Sequence, residues 1–187
     1  MKDIQRCKWV NKDQIYIDYH DYEWGIPLHD DDKLFEFLIL EGFQAGLSWI
    51  TVLRKRENFR KAFDDFKALK IVKYDEQKIE ELMQDAGIVR NHLKIKGTII
   101  NAQLFLEIQQ EFGTFDKYIW QFSGGQTIVN QWNNQIQVPA STPISDAMSK
   151  DLKKRGFKFI GSTICYAFMQ ATGMVNDHMI NCMSYKR

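Results

Sequence analysis

Residue types that bind metal ions stand in two pairs at opposite ends of the chain. Cys7 and His20 lie near the start, and His178 and Cys182 lie near the end. If residues 178–182 are helical, His178 and Cys182 share one face and can bind the same ion. Two thiolates and two imidazoles are the donor set of a closed, tetrahedral structural zinc site. The alternative is a buried thiol and two surface histidines.

A tight turn in the C-terminal part could bind a phosphate group. The residues Phe159, Ile160, Gly161 and Ser162 precede an apolar stretch that predicts a helix to about Ala171. Glycine lets a backbone approach a ligand closely, and the free amides at a helix start attract anions. Basic side chains come just before the turn, at Lys150, Lys153, Lys154, Arg155 and Lys158. Glycine also serves as plain turn punctuation, and the basic residues are what favour a phosphate contact.

Glu41 is a carboxylate that follows a run of apolar residues. It ends a nearly all-apolar run, and Gly42, Gly46 and the aromatic Trp49 follow. Burial of a carboxylate without a partner is unfavourable. Glu41 therefore either reaches solvent where the helix ends at Gly42 or serves as a functional group beside an aromatic ring.

Helical periodicity surrounds these residues almost everywhere, which predicts the all-α class. Acidic residues 30–32 precede the helix that contains Glu41, and Ser48 is the predicted N-cap of a helix from Trp49 to about Phe63. Residues 123–141 are predicted to be irregular, with room for one short extended piece. Further helices are predicted over Glu76–Gln84, about Asn91–Phe112, Thr114 to Phe122, and from a Ser145 cap through Arg155 to a stop at Gly156.

Length and composition indicate one domain, or one domain with a small lobe, over residues 1–187. A zinc ion would tie residues 1–30 to residues 174–187. The chain is 44% hydrophobic and 13% aromatic, which is enough for a packed core. Its formal net charge of +1 argues against a wholly basic nucleic-acid-binding protein and leaves room for a local basic face.

The same sequence predicts a cytoplasmic protein. It contains no run of apolar residues long enough to span a membrane, and its first residues lack the apolar core of a signal peptide. Three cysteines in that compartment are not expected to form a disulfide framework. Cys165, within an apolar run, fits a buried core thiol.

Three segments together resemble the DNA-3-methyladenine glycosylase I (Tag) family. They are YHDYEWG (19–25), LEGFQAGLSW (40–49), and KKRGFKFIGSTICYAFMQA (153–171) with its tail VNDH (175–178). The family belongs to the helix-hairpin-helix glycosylases. The resemblance therefore implies a helical fold, a hairpin bound to the backbone of double-stranded alkylated DNA, and hydrolysis of the bond between 3-methyladenine and deoxyribose.

The resemblance also implies residue roles. Glu41, Tyr19 and Trp49 fall on the base pocket, where Trp49 would stack on the base, and Glu41 and Tyr19 would hydrogen-bond to it. Our hypothesis is that Glu41 is also the catalytic residue. Trp9, Tyr16 and Trp24 are candidates for the pocket walls. The zinc ligands of the family, one ion per chain, fall on Cys7, His20, His178 and Cys182, and the DNA contacts of its hairpin fall on Lys158, Phe159, Ile160, Gly161 and Ser162.

Two absences favour a monofunctional glycosylase, without a Schiff base or strand cleavage. Bifunctional members of the superfamily place a nucleophilic lysine just after the hairpin, where this chain has Thr163. Many members have an aspartate before the tail histidine, where this chain has Asn176 and then Asp177. The alternatives are a non-enzymatic helix-hairpin-helix DNA-binding module, a zinc hydrolase and an inert helical domain, and a monomer is expected.

Overall fold

A computed structural model describes residues 5–186, so the predicted domain limits at residues 1 and 187 lie outside the described part. The helices are α1 (Gln14–Tyr22), α2 (Asp31–Gln44), α3 (Trp49–Ala62), α4 (Ala68–Ile71), α5 (Glu76–Gln84), α6 (His92–Phe112), α7 (Phe115–Trp120), α8 (Pro143–Arg155) and α9 (Ser162–Ala171). Single 3-10 turns cover Asp64–Phe66, Gln121–Ser123 and Gln135–Gln137.

Helix α2 is the centre of the bundle. The Asp30 side chain accepts a hydrogen bond from the Lys33 amide and caps its start. Every residue from Leu34 to Phe43 is buried, and the helix contacts α3, α6, α7 and α9. A helix that is apolar on nearly all sides must be enclosed in this way. The position of Glu41 near its C-terminal end follows from this enclosure.

A second carboxylate of α2 is buried in an ion-pair network. Glu36 accepts hydrogen bonds from Arg56 and Arg60 of α3, and Arg56 also pairs with Glu23 at 2.6 Å. Partners of this kind are what a buried charge requires. The network joins α2 and α3 to the end of α1.

A small parallel sheet adds to the predicted all-α class. Its strands are β1 (Ile128–Val129) and β2 (Val175–Asn176), with Ile128 paired to Val175 and Val129 to Asn176. A further bridge joins Trp132 to Met179. The helical class is confirmed for the bundle, and the extended piece expected within residues 123–141 attaches that segment to the C-terminal tail.

The predicted start of α8 is wrong. Its N-cap is Thr142, and Pro143 occupies the first helical position, where a missing amide proton is harmless. Thr142 and Ser145 form a reciprocal capping box, in which each side chain accepts a hydrogen bond from the amide of the other residue. Ser145 is therefore the third residue of the helix rather than its cap.

The two ends of the described chain meet beside α9. The Gly25 amide donates to the Gln170 carbonyl at 3.0 Å, the Leu28 amide to the Thr172 carbonyl at 3.0 Å, and the Met183 amide to the Gln5 carbonyl at 2.9 Å. Within residues 5–186, no helix is both long and apolar enough to cross a bilayer.

Candidate active site and metal group

A cavity of about 250 Å³ opens between α1, the end of α2, the start of α3 and α9. All six residues proposed for the base pocket line it, so the fold gathers side chains spread over residues 9–49. The full lining is Trp9, Tyr16, Tyr19, Trp24, Glu41, Gln44, Trp49, Gln135, Ala167 and Gln170.

Glu41 is enclosed in this cavity. It is only 4% exposed, because α2 continues through Gly42 to Gln44 instead of releasing the side chain to solvent. Its carboxyl group makes no hydrogen bond to any residue in the range 5–186. Burial raises its pKa to about 8. The cavity thus contains an acid to which the described part of the chain offers no hydrogen-bond partner.

Aromatic rings form the walls around this acid. The ring centroids of Tyr19 and Trp49 are 5.5 Å apart, and Trp9 meets Trp24 edge-on at 5.1 Å and Tyr16 at 5.4 Å. Burial, followed by the charge of Glu41, raises the pKa of Tyr19 well above its usual value. Flat, polarisable walls beside a carboxyl group suit a planar ligand that carries positive charge.

Phe43 and Lys94 support the end of α2, just beyond Glu41. Phe43 is fully buried against Phe59, at 4.8 Å between centroids, and belongs to the core. Lys94 of α6 donates through Nζ to the carbonyls of Phe43 (2.9 Å) and Ala45 (2.8 Å). These carbonyls close the end of α2, and burial lowers the pKa of Lys94. The two ends of this contact lie about fifty residues apart in sequence, so no local pattern reveals it.

The predicted turn joins α8 to α9 as a helical hairpin. The Asn101 side chain holds Lys158 through both of its backbone groups, with the Lys158 amide donating at 2.7 Å and the Lys158 carbonyl accepting at 3.0 Å. Ser149 donates to the Ile160 carbonyl at 2.7 Å. Buried side chains therefore fix the turn from below, while Lys158 remains exposed.

The turn residues differ in which of their groups are accessible to a ligand. Phe159 takes the positive φ of 56° and lays its half-exposed ring against α6, where a Cβ on Gly97 would come within 3.0 Å of it. The Ile160 side chain is buried, so only its backbone can face a ligand. Gly161 has an ordinary φ of −62° and open space where a Cβ would be. Within residues 5–186 no side chain caps α9, so these residues leave the amides at its start open. The Ser162 hydroxyl donates to Asp146.

Three of the four predicted metal ligands lie together. The ligand atoms of Cys7, His20 and Cys182 are all buried and within 4.8 Å of one another. A hydrogen bond from Cys7 is the largest cause that lowers the pKa of Cys182, and the same contact raises the pKa of Cys7. His20 Nδ1 contacts Asp21 at 2.7 Å, which directs Nε2 toward Cys182 Sγ at 3.3 Å. This carboxylate–imidazole–thiol arrangement fits a metal ion.

His178 lies beside this group, although not in a helix. Its ring centroid is 5.0 Å from that of His20, and its Nδ1 contacts Asn176 Oδ1 at 2.9 Å. The helical condition considered for residues 178–182 is not met, because β2 keeps the preceding chain extended and a turn follows. Gly25, at φ 76°, makes room for the ring, since a Cβ there would lie 2.7 Å from His178 Cε1.

Asp177 is structural. Its carboxylate accepts hydrogen bonds from four side chains at 2.6–2.7 Å, those of Asn130, Trp132, Tyr166 and Gln170. Four donors fill the acceptor positions of a carboxylate, so Asp177 holds the tail in place. Cys165 is buried in α9, as expected for a core thiol, and Thr163 is exposed at the start of that helix.

Comparison with known proteins identifies the class of protein. The sequence profile of the methyladenine glycosylase family matches residues 9–185, so the chain belongs to that family. Among its relatives is DNA-3-methyladenine glycosylase 1 of Escherichia coli (strain K12), 52% identical over 182 residues, with 97% of each chain covered.

Solved structures give the same result. A crystal structure of 3-methyladenine DNA glycosylase I (TAG) superposes with a TM-score of 0.95 at 51% identity, and covers 97% of this chain and 100% of that one. A variant of a 3-methyladenine DNA glycosylase I in complex with 3-methyladenine superposes with a TM-score of 0.94 at 35% identity, with 97% and 98% covered. The family resemblance drawn from the three sequence segments is confirmed.

Proposed function

We propose that this protein is a monofunctional DNA glycosylase, which releases 3-methyladenine from alkylated double-stranded DNA. The observation that carries the proposal is the buried, unpartnered Glu41 carboxyl group beside Trp49 in an aromatic cavity. Relatives named DNA-3-methyladenine glycosylase at about half identity over nearly the full chain support the same activity.

The chemistry follows from the charge of the damaged base. A base inside a duplex must be turned out before its sugar bond can be reached, and stacking on Trp49 offsets the lost base stacking. In DNA, 3-methyladenine is a cation. Its charge favours the ionised form of Glu41, whose pKa of about 8 leaves it largely protonated in the empty cavity at neutral pH. Normal adenine carries no such charge, so Glu41 and Trp49 together select the methylated base.

The cleavage step needs little acid catalysis, because a cationic base departs neutral. Glu41 orients the base, Tyr19 donates a hydrogen bond to it, and the carboxylate stabilises the positive charge that develops on the sugar. The chain has Thr163 where bifunctional relatives have lysine, so water rather than an amine accepts the sugar. Asp177 is engaged by four donors and supplies no general base.

The hairpin is the proposed DNA contact. Its exposed Lys158, the backbone of residues 159–161 and the uncapped amides beginning at Ser162 present positive charge and donors to phosphate oxygens. The side chain of Phe159 anchors the turn on α6. These contacts carry no sequence preference, as suits an enzyme that searches for damage.

The metal group is proposed as a structural zinc site, one per chain, with Cys7, His20, His178 and Cys182 as ligands. Four protein ligands leave no position for a reactive water. Trp9 and Trp24 line the cavity and also pack against His20, at 5.4 and 6.2 Å between centroids, so an aromatic wall separates the metal group from Glu41. These features favour a structural metal site, which ties together the chain ends of one monomeric domain over residues 1–187. They argue against a zinc hydrolase.

Release of free methylated bases from alkylated DNA, separated by chromatography, tests the proposal. The wild-type protein should release 3-methyladenine, and Glu41→Gln should release it far more slowly. Glu57→Gln, on the exposed face of α3, is the matched control and should match the wild-type rate. DNA binding without base release would favour a non-enzymatic module, and a borohydride-trapped protein–DNA adduct would contradict the monofunctional assignment.

Metal content tests the zinc proposal separately. The purified protein should contain one zinc per chain, and Cys182→Ala should lose both the metal and stability. Zinc-free protein with unchanged unfolding and activity would refute the structural role.

A further inference from the structure

Gln135 reaches the cavity from a part of the chain that the proposed mechanism does not use. It begins the 3-10 turn Gln135–Gln137 and lines the cavity together with residues of α1, α2 and α9. Its Oε1 atom is buried and has no hydrogen-bond partner within residues 5–186. A buried carbonyl oxygen without a partner is unfavourable, and such atoms in native proteins call for an explanation.

The turn is rigid without any help from the Gln135 side chain. Asn134 accepts from the Ile136 amide, and Gln137 Oε1 accepts from the amides of Asn133 (2.8 Å) and Asn134 (3.0 Å). The neighbouring Ile136 is 90% exposed. The turn therefore directs one side chain to the cavity and the next one to solvent.

A second unpartnered atom in the same cavity complements the first. Trp49 Nε1 is a donor that is buried and makes no hydrogen bond to the described chain, whereas Gln135 Oε1 is an acceptor. An apolar ligand would leave Gln135 Oε1 unsatisfied. An adenine that stacks on the ring face of Trp49 offers this oxygen a donor through its exocyclic amino group.

We propose that Gln135 is a base-recognition residue, whose Oε1 accepts a hydrogen bond from the 6-amino group of the adenine held against Trp49. This inference rests on the proposed function. The amino group has two N–H donors, so Glu41 can accept one and Gln135 the other. Recognition of the base then involves a segment that the β1–β2 sheet fastens to the C-terminal tail.

A ligand that lacks the amino group tests the assignment at the level of a single bond. Affinities for free 3-methyladenine and for 3-methylpurine, which has hydrogen in place of the amino group, are measured by calorimetry with wild type, Gln135→Leu and Ile136→Thr. Gln135→Leu should weaken 3-methyladenine binding roughly five- to tenfold and leave 3-methylpurine binding unchanged. Ile136→Thr, from the same turn, should change neither affinity.

Three results would overturn the inference. Equal weakening of both ligands by Gln135→Leu would indicate a packing role, and unchanged affinity for both would remove Gln135 from recognition. If the wild-type protein binds neither ligand, the proposed function is overturned as well. This outcome is distinct from one in which the wild type binds and only the role of Gln135 fails. Equal thermal midpoints for the three proteins confirm that folding is not the variable.

Discussion

Replacement of Glu41 by glutamine should make the protein more stable while it removes activity. In the folded state the carboxyl group is buried without a hydrogen-bond partner among residues 5–186, and its pKa is raised from 4.5 to about 8. Glutamine keeps the shape and cannot ionise. The substitution therefore removes the energetic conflict between burial and charge.

The size and sign of the effect depend on pH. Below about pH 4.5 both the folded and the unfolded wild-type chains are protonated at Glu41, so the stability associated with the neutral buried acid is fully present. As pH rises, the unfolded chain ionises first, and this stability is lost until the folded pKa of about 8 is reached. The interval from 4.5 to about 8 corresponds to up to about 5 kcal/mol at 1.36 kcal/mol per pKa unit. Water that enters the cavity reduces this value.

Urea unfolding of wild type and Glu41→Gln between pH 5 and about pH 8.5 measures the effect. The free energy of unfolding of Glu41→Gln, relative to that of the wild type, should increase steadily as pH rises across this range. Glu36→Gln is the matched control, because Glu36 is also buried on α2 but is paired with Arg56 and Arg60. Loss of that pair should destabilise the protein by about 3–5 kcal/mol at neutral pH. The same substitution at two buried glutamates of one helix should thus change the free energy of unfolding in opposite directions. Glu41→Gln should raise it, and Glu36→Gln should lower it.

Parallel pH profiles for wild type and Glu41→Gln would refute this reasoning. They would mean that Glu41 ionises in the folded protein as easily as in the unfolded chain. The positive charge of the substrate would then not be needed to ionise it.

Three further substitutions probe the supports of the site. Gly25→Ala should cost at least about 2 kcal/mol in urea unfolding, because alanine is strained at positive φ and its Cβ would collide with the His178 ring; unchanged stability would contradict the close approach. Lys94→Met should cost about 1.5–3 kcal/mol and raise KM for damaged DNA, since it frees the end of α2 ahead of Trp49; a change in stability alone would limit Lys94 to folding. Lys158→Gln should weaken duplex binding uniformly across sequences and lower the salt slope by about one, as filter binding at several salt concentrations would measure; an unchanged slope would remove Lys158 from the phosphate contact.

Helix positions and residue types were largely readable in the sequence. Asp75 before Glu76–Gln84 is a local signal, and the structure has that helix at the predicted residues. The apolar run of α2 likewise indicates a helix, although α2 continues past Gly42 to Gln44. The predicted start of α8 is wrong, because Thr142 and Ser145 offer competing caps and only the reciprocal hydrogen bonds distinguish them.

The sequence by itself determined that Glu41 stands in an apolar helix, that aromatic residues are plentiful near it, and that Cys and His residues occur at both chain ends. Tertiary structure decided that Glu41 is enclosed, because only the packing of α1, α3 and α9 around α2 removes water from it. It also decided the contacts of Lys94, Gln135 and His178. Each of these joins residues far apart in sequence, and local periodicity carries no information about such distances.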